Sequence, residues 1–131
     1  MKKSEVRSPL AIVRGLGSAK SGTDHFIHQR VTAIALIPLT WWFISSLMKI
    51  ALSPDSDKLV HWLSAGFNAG TLIVLLIALF YHAKLGVQTI IEDYIHCHCV
   101  KITALLINYF VMFAFTAISV LAVLKLHFHT I

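Results

Sequence analysis

Three stretches of the chain carry no charged side chain: residues 31–48, 59–83 and 102–124. A helix needs roughly 20 apolar residues to cross a hydrocarbon core of ~30 Å. The second and third tracts meet that length outright. The first is slightly short, but Phe26 and Ile27 precede it and the Arg30 head can snorkel to the interface. Composition agrees: 57% of the 131 residues are hydrophobic and 13% are charged, whereas soluble domains carry about a quarter charged residues. The mean hydropathy is +0.78. Such a chain has too few charges to cover a water-facing surface, so three membrane crossings are expected.

Each tract is far longer than a barrel strand and lacks strict alternation. In lipid every backbone amide must be satisfied, and a helix does this within its own segment. The expected fold is therefore an all-α membrane protein, with three transmembrane helices at about 25–49, 58–94 and 100–125. A polar N-terminal segment, residues 1–29, precedes a transmembrane domain over 30–131. No length is left for a soluble domain.

The lead-in carries Lys2, Lys3, Arg7, Arg14, Lys20 and Arg30, six of the eleven basic residues. The positive-inside rule then puts the N-terminus and the 84–101 connection in the cytoplasm, and the C-terminus outside. Lys84 and Lys101 agree, and Lys49, Lys58 and Lys125 weakly dissent. About thirty mixed polar residues before the first apolar tract do not read as a cleaved signal, and Met1-Lys2-Lys3 resembles a mature bacterial start. The expected location is a bacterial inner membrane. Cys97 and Cys99 fall in the inner connection, where a reducing compartment disfavours a disulfide.

Gly15, Gly17 and Gly22 punctuate the lead-in, and Ser21, Thr23 and Asp24 are candidate caps for helix one. Pro38 is expected to kink that helix, with Trp41, Trp42 and Trp62 near the outer membrane boundary. Ser53, Pro54, Asp55, Ser56 and Asp57 read as a turn. Gly66 and Gly70 permit close helix approach. Helix three, with Asn108 and Tyr109, reads as scaffold, and His127 and His129 as solvated tail residues.

The chemistry gathers in helix two, over Tyr81-His82-Ala83-Lys84-Leu85-Gly86-Val87-Gln88-Thr89-Ile90-Ile91-Glu92-Asp93-Tyr94. At 100° per residue, His82 and Asp93 lie within about 20° of one helix face, with Gly86 about 40° away. Gly86 and Ala78 leave open surface one turn to either side of the imidazole. A flat macrocycle coordinated by His82 would need such space. A histidine inside a membrane helix marks a functional site by default, but an imidazole bonded to a neighbouring helix fits the spacing as well. His61 lies at the far end of the helix, so a second axial ligand would come from another chain. The run His96-Cys97-His98-Cys99 offers zinc-type ligands, yet four consecutive positions are too close for the backbone to wrap an ion.

The pattern His82-x-x-x-Gly86-x(6)-Asp93-Tyr94 resembles the helix-two motif of the smaller membrane anchor of succinate dehydrogenase. Ser21-Gly22-Thr23-Asp24-His25-Phe26-Ile27-His28-Gln29-Arg30-Val31-Thr32-Ala33 resembles the start of helix one in that family. So does the lead-in from Pro9-Leu10 through Arg14-Gly15-Leu16-Gly17-Ser18-Ala19-Lys20. The resemblance spans nearly the whole chain.

It implies that His82 is one axial ligand of a b-type haem, with the other ligand from a second membrane anchor subunit, the cytochrome b. Gly86 would pack against the macrocycle. Tyr94 would donate a hydrogen bond to ubiquinone, and Asp93 would orient that site or deliver protons. Arg30 would pair with a haem propionate, with His25 or Asp24 lining the same region. The implied partners are the second anchor, an iron–sulfur subunit, a flavoprotein subunit and membrane lipid, with no nucleic acid.

No flavin fingerprint or iron–sulfur cysteine series occurs in the chain, so succinate oxidation belongs to other subunits. Electron transfer from the iron–sulfur subunit to quinone, in the tricarboxylic acid cycle and respiratory chain, is the expected role. Three alternatives stand beside it: the anchor of a fumarate reductase, an anchor that keeps its quinone site without haem, and a small non-redox membrane protein.

Overall fold

A computed structural model describes residues 22–53 and 57–129. Much of the basic lead-in, including Lys2, Lys3, Arg7, Arg14, Gly15, Gly17, Lys20 and Ser21, lies outside the described residues, as do Pro54, Asp55 and Ser56. Among the described residues four helices follow in order: α1 (Gly22–Ala51), α2 (Lys58–Ser64), α3 (Gly66–Tyr94) and α4 (His98–His129). No strand occurs among the described residues. Three of the helices are long and apolar enough to cross a membrane: α1, α3 and α4.

The three long helices differ from soluble ones in what they hide. Ile34, Ile37 and Trp41 on α1 are 66%, 69% and 77% exposed. Phe110, Phe113 and Leu121 project in the same way from α4. Apolar side chains on all sides of a helix suit a lipid surround, where exposure of such groups has no hydrophobic cost. α3 is the middle element, packed along α4 on one side and α1 on the other. The α3–α4 contact includes the stacked rings of Phe80 and Phe115, 6.0 Å between centroids. α1 runs unbroken through Pro38.

The expected second helix is in fact two. Ala65 adopts an extended conformation, φ −70° and ψ 115°, and separates α2 from α3. A break inside an apolar run frees carbonyls that lipid cannot satisfy, and side chains take them up. Ser64 Oγ donates to His61 O at 2.8 Å, and Asn68 Nδ2 donates to Trp62 O at 2.8 Å. His127 Nδ1 lies 2.9 Å from Leu63 O. The last contact corrects the reading of His127 as a solvated tail residue: it is half-buried and ties the end of α4 to the break. His129 is exposed. Leu63, Ala69 and Val123 form the buried cluster at this junction, with Trp62 packed on it. Trp62 also meets Trp42 of α1, 5.5 Å between ring centroids.

Replacing Asn68 by alanine would leave Trp62 O without its side-chain donor. We expect a loss of about 1 kcal/mol, read as a drop of a few degrees in the unfolding midpoint of the detergent-solubilised protein.

α4 begins at His98 rather than Val100, because Lys101 N already donates to Cys97 O at 2.9 Å. Lys101 Nζ reaches back to Glu92 O at 2.9 Å and closes the short connection between α3 and α4.

Candidate functional site

His82 lies on the flank of α3 that faces α1. Its Nδ1 is 3.0 Å from Thr32 Oγ1, and the ring before it, Tyr81, meets His28 edge-on at 6.1 Å. His25, His28 and Thr32 follow one another at intervals of three and four residues, so they share one face of α1. That face carries two imidazoles and a hydroxyl towards α3. His25 Nε2 is buried with no hydrogen-bond partner among the described residues. Interiors seldom leave a polar atom in that state, and a ligand or second chain would supply what it lacks.

Thr32 took no role in the sequence reading, although it stands in the quoted helix-one motif. Its signal is its phase, seven residues after His25 on the same face. Only the pairing of α1 with α3 shows that His82 meets it. The imidazole is thus bonded to a neighbouring helix, as one sequence reading had it. A single nitrogen meets that demand, and Nε2 of His82 has no partner among the described residues.

Gly86 is half-buried, and a Cβ built there would meet nothing within 4 Å. The turn that follows His82 is therefore open. It is braced from behind by α4: Asn108 is buried, 7% exposed, and its Nδ2 donates to Lys84 O at 3.0 Å. Helix α4 thus fixes the backbone two residues past His82, a closer part in the site than scaffold. Lys84 points away from His82, its ammonium 5.7 Å from the Tyr81 ring and 5.1 Å from the Tyr109 ring. Both aromatic faces stabilise a cation held at membrane depth.

Asp93 and Tyr94 lie about 17 Å along α3 from His82, at the end where α1 begins. Both are exposed, Tyr94 to 79%, and neither bonds to another described residue. Asp93 continues the His82 face, with half-buried Thr89 between them. Tyr94 is turned about 120° from His82. The carboxylate and phenol are therefore presented outward at a helix end.

Arg30 also lies off this face. It lies two residues, or 200°, from Thr32, and its guanidinium sits 4.9 Å from the Phe26 ring centroid. Asp24 is exposed near the start of α1. Of the candidates for the propionate region, His25 shares the face that meets His82.

The family model described as succinate dehydrogenase/fumarate reductase transmembrane subunit matches residues 4–123. The chain belongs to that family. Similar proteins include a succinate dehydrogenase hydrophobic membrane anchor subunit of Rickettsia bellii, 33% identical over 103 residues that make up 78% of this chain and 81% of the relative. The corresponding subunit of Rickettsia conorii is 33% identical over 79% of this chain and 82% of its own length. A succinate dehydrogenase membrane anchor subunit of Reclinomonas americana is 30% identical over 66% of this chain and 73% of its own. No solved structure matches significantly.

The residues present suit the haem implied for a member of this succinate dehydrogenase/fumarate reductase family. One imidazole nitrogen of His82 is engaged by Thr32 and the other has no partner among the described residues. Open surface follows at Gly86, and Nε2 of His25 on α1 is buried with no hydrogen-bond partner among the described residues. Cys97 and Cys99 are free and exposed. No group of three or more His, Cys, Asp or Glu among the described residues is placed to hold a separate metal ion.

Proposed function

We propose that this chain is the smaller membrane anchor of a bacterial succinate dehydrogenase, with its N-terminus and the Asp93–Tyr94 end at the cytoplasmic face of the inner membrane. The observation that carries the reading is the Thr32–His82 contact at 3.0 Å beside the open turn at Gly86. It gives an intramembrane histidine one satisfied nitrogen and one available nitrogen. The named relatives are succinate dehydrogenase anchors, which favours that enzyme over a fumarate reductase.

In this reading His82 Nε2 would be one ligand to the iron of a b-type haem, and the second anchor subunit would supply another. Gly86 would admit the macrocycle edge, and His25 Nε2 would meet a propionate. Arg30 would pair with a carboxylate that reaches the Phe26 flank of α1. A haem bound there would supply a one-electron carrier within the membrane.

Ubiquinone reduction takes up two electrons and two protons. The electrons would come from the iron–sulfur subunit docked at the cytoplasmic face. Tyr94 would donate its O–H to a quinone carbonyl oxygen as negative charge develops there, and Asp93, exposed beside it, would pass protons from water. An acid at the bilayer centre costs about 2.5–3.5 kcal/mol on insertion scales, and placement at a helix end avoids most of that. The second anchor and the iron–sulfur subunit would close the pocket that these two residues leave open. The basic lead-in suits contact with soluble subunits or anionic headgroups.

The test is purification of the tagged chain from its own membranes in mild detergent. Co-elution of succinate-driven ubiquinone reduction is expected. A preparation that carries flavoprotein and iron–sulfur subunits but turns over chiefly from quinol to fumarate would move the assignment to fumarate reductase. Elution with no such subunits would overturn it.

A further inference from the structure

Thr32 Oγ1 touches three groups: His28 O at 2.8 Å, Gln29 O at 3.1 Å and His82 Nδ1 at 3.0 Å. A threonine hydroxyl has one proton to donate and two lone pairs. Two oxygens 2.8 Å apart with no proton between them repel, so the hydroxyl donates its proton to the His28 carbonyl oxygen, the common back-bond of threonine within a helix. Only lone pairs then face His82. A hydrogen bond at that contact requires the proton on Nδ1, and a neutral imidazole protonated at Nδ1 has its free lone pair at Nε2.

We infer that Thr32 is a positioning residue: its hydroxyl, committed to the α1 backbone, accepts from His82 Nδ1 and fixes the tautomer and ring orientation that present Nε2 to iron. The inference deepens the haem reading proposed above and rests on it for the ligand, though not for the tautomer. Metal-bound histidines commonly donate their second N–H to such a partner, which orients the ring and raises its basicity. Here the acceptor is a side chain of a different helix, so the α1–α3 packing itself sets the ligand.

The experiment compares the complex carrying wild-type chain, Thr32→Val and Thr32→Ser, each with this chain labelled with 15N-histidine. The His82 signals are assigned by their loss in His82→Ala. Solid-state 15N spectra of the dithionite-reduced complex in membranes report which ring nitrogen bears the proton, with or without haem. Wild type and Thr32→Ser are expected to show a hydrogen-bonded Nδ1–H. In Thr32→Val the Nδ1 signal should shift to that of an unbonded N–H or a tautomer mixture. Haem transfer to apomyoglobin should be roughly 10–100-fold faster in the valine variant, and serine should restore it. An Nδ1 signal unchanged in Thr32→Val, or equal shifts in Thr32→Val and Thr32→Ser, would overturn the inference and reduce Thr32 to packing. A wild-type complex without haem but with a Thr32-dependent Nδ1–H would uphold the tautomer lock and sink the haem reading alone.

Discussion

Succinate-driven ubiquinone reduction is expected to fall roughly 10–100-fold in Tyr94→Phe, while succinate oxidation by a soluble electron acceptor stays unchanged. The magnitude follows from one hydrogen bond to a developing charge, about 1.5–3 kcal/mol, with about 1.4 kcal/mol for each tenfold in rate. The phenol is 79% exposed and bonded to no other described residue. Its removal therefore costs the fold little, and a loss of quinone reduction would report on the ligand. Phenylalanine keeps the ring and removes only the donor. Equal loss of both activities would instead mean that Tyr94 helps dock the soluble subunits, and unchanged quinone reduction would remove Tyr94 from the site.

The second large effect concerns space. Gly86→Leu should abolish or displace the haem while the complex still assembles. A Cβ at 86 meets nothing within 4 Å, so the chain itself has room for a larger residue. The cost appears only if another body occupies that room. Gly70 is the control: it is also open within 4 Å, but lies twelve residues before His82 on the same helix. Gly70→Leu should keep the full haem content, measured as the pyridine haemochrome per flavin. Equal haem in Gly86→Leu and wild type would place the macrocycle elsewhere. Equal loss in both variants would point to helix packing as the cause.

The three crossings were legible because the charge-free tracts are long and the residues that bound them are charged. Lys58, Lys84, Lys101 and Lys125 bracket the second and third tracts almost without ambiguity. The break at Ala65 was not legible. Leu59 onward is charge-free as far as Ala83, and the carbonyls freed there are met by Asn68 from the next turn and His127 from 64 residues away. A bond of that separation leaves no local pattern. It also explains why His127 looked like tail.

The candidate site divides in the same way. His82, Gly86 and Asp93 share a face by helical phase alone, and the structure keeps that phase. Thr32 stood in the helix-one motif with no visible partner, because its contact with His82 spans 50 residues and exists only once α1 lies along α3. Arg30 entered through the family resemblance and not through helical phase: it lies about 200° around α1 from Thr32, and its guanidinium sits over the Phe26 ring. Asn108 was hidden for a third reason: an asparagine on an apolar helix gives no sign of which backbone it braces, here Lys84 O.

Whether His82 holds a haem is read from the dithionite-reduced minus oxidised absorption spectrum of the purified complex, for wild type and His82→Ala. A b-type α-band is expected in wild type and should be lost or shifted in the variant. A wild-type complex with no haem band, or a band identical in His82→Ala, would contradict haem ligation by His82.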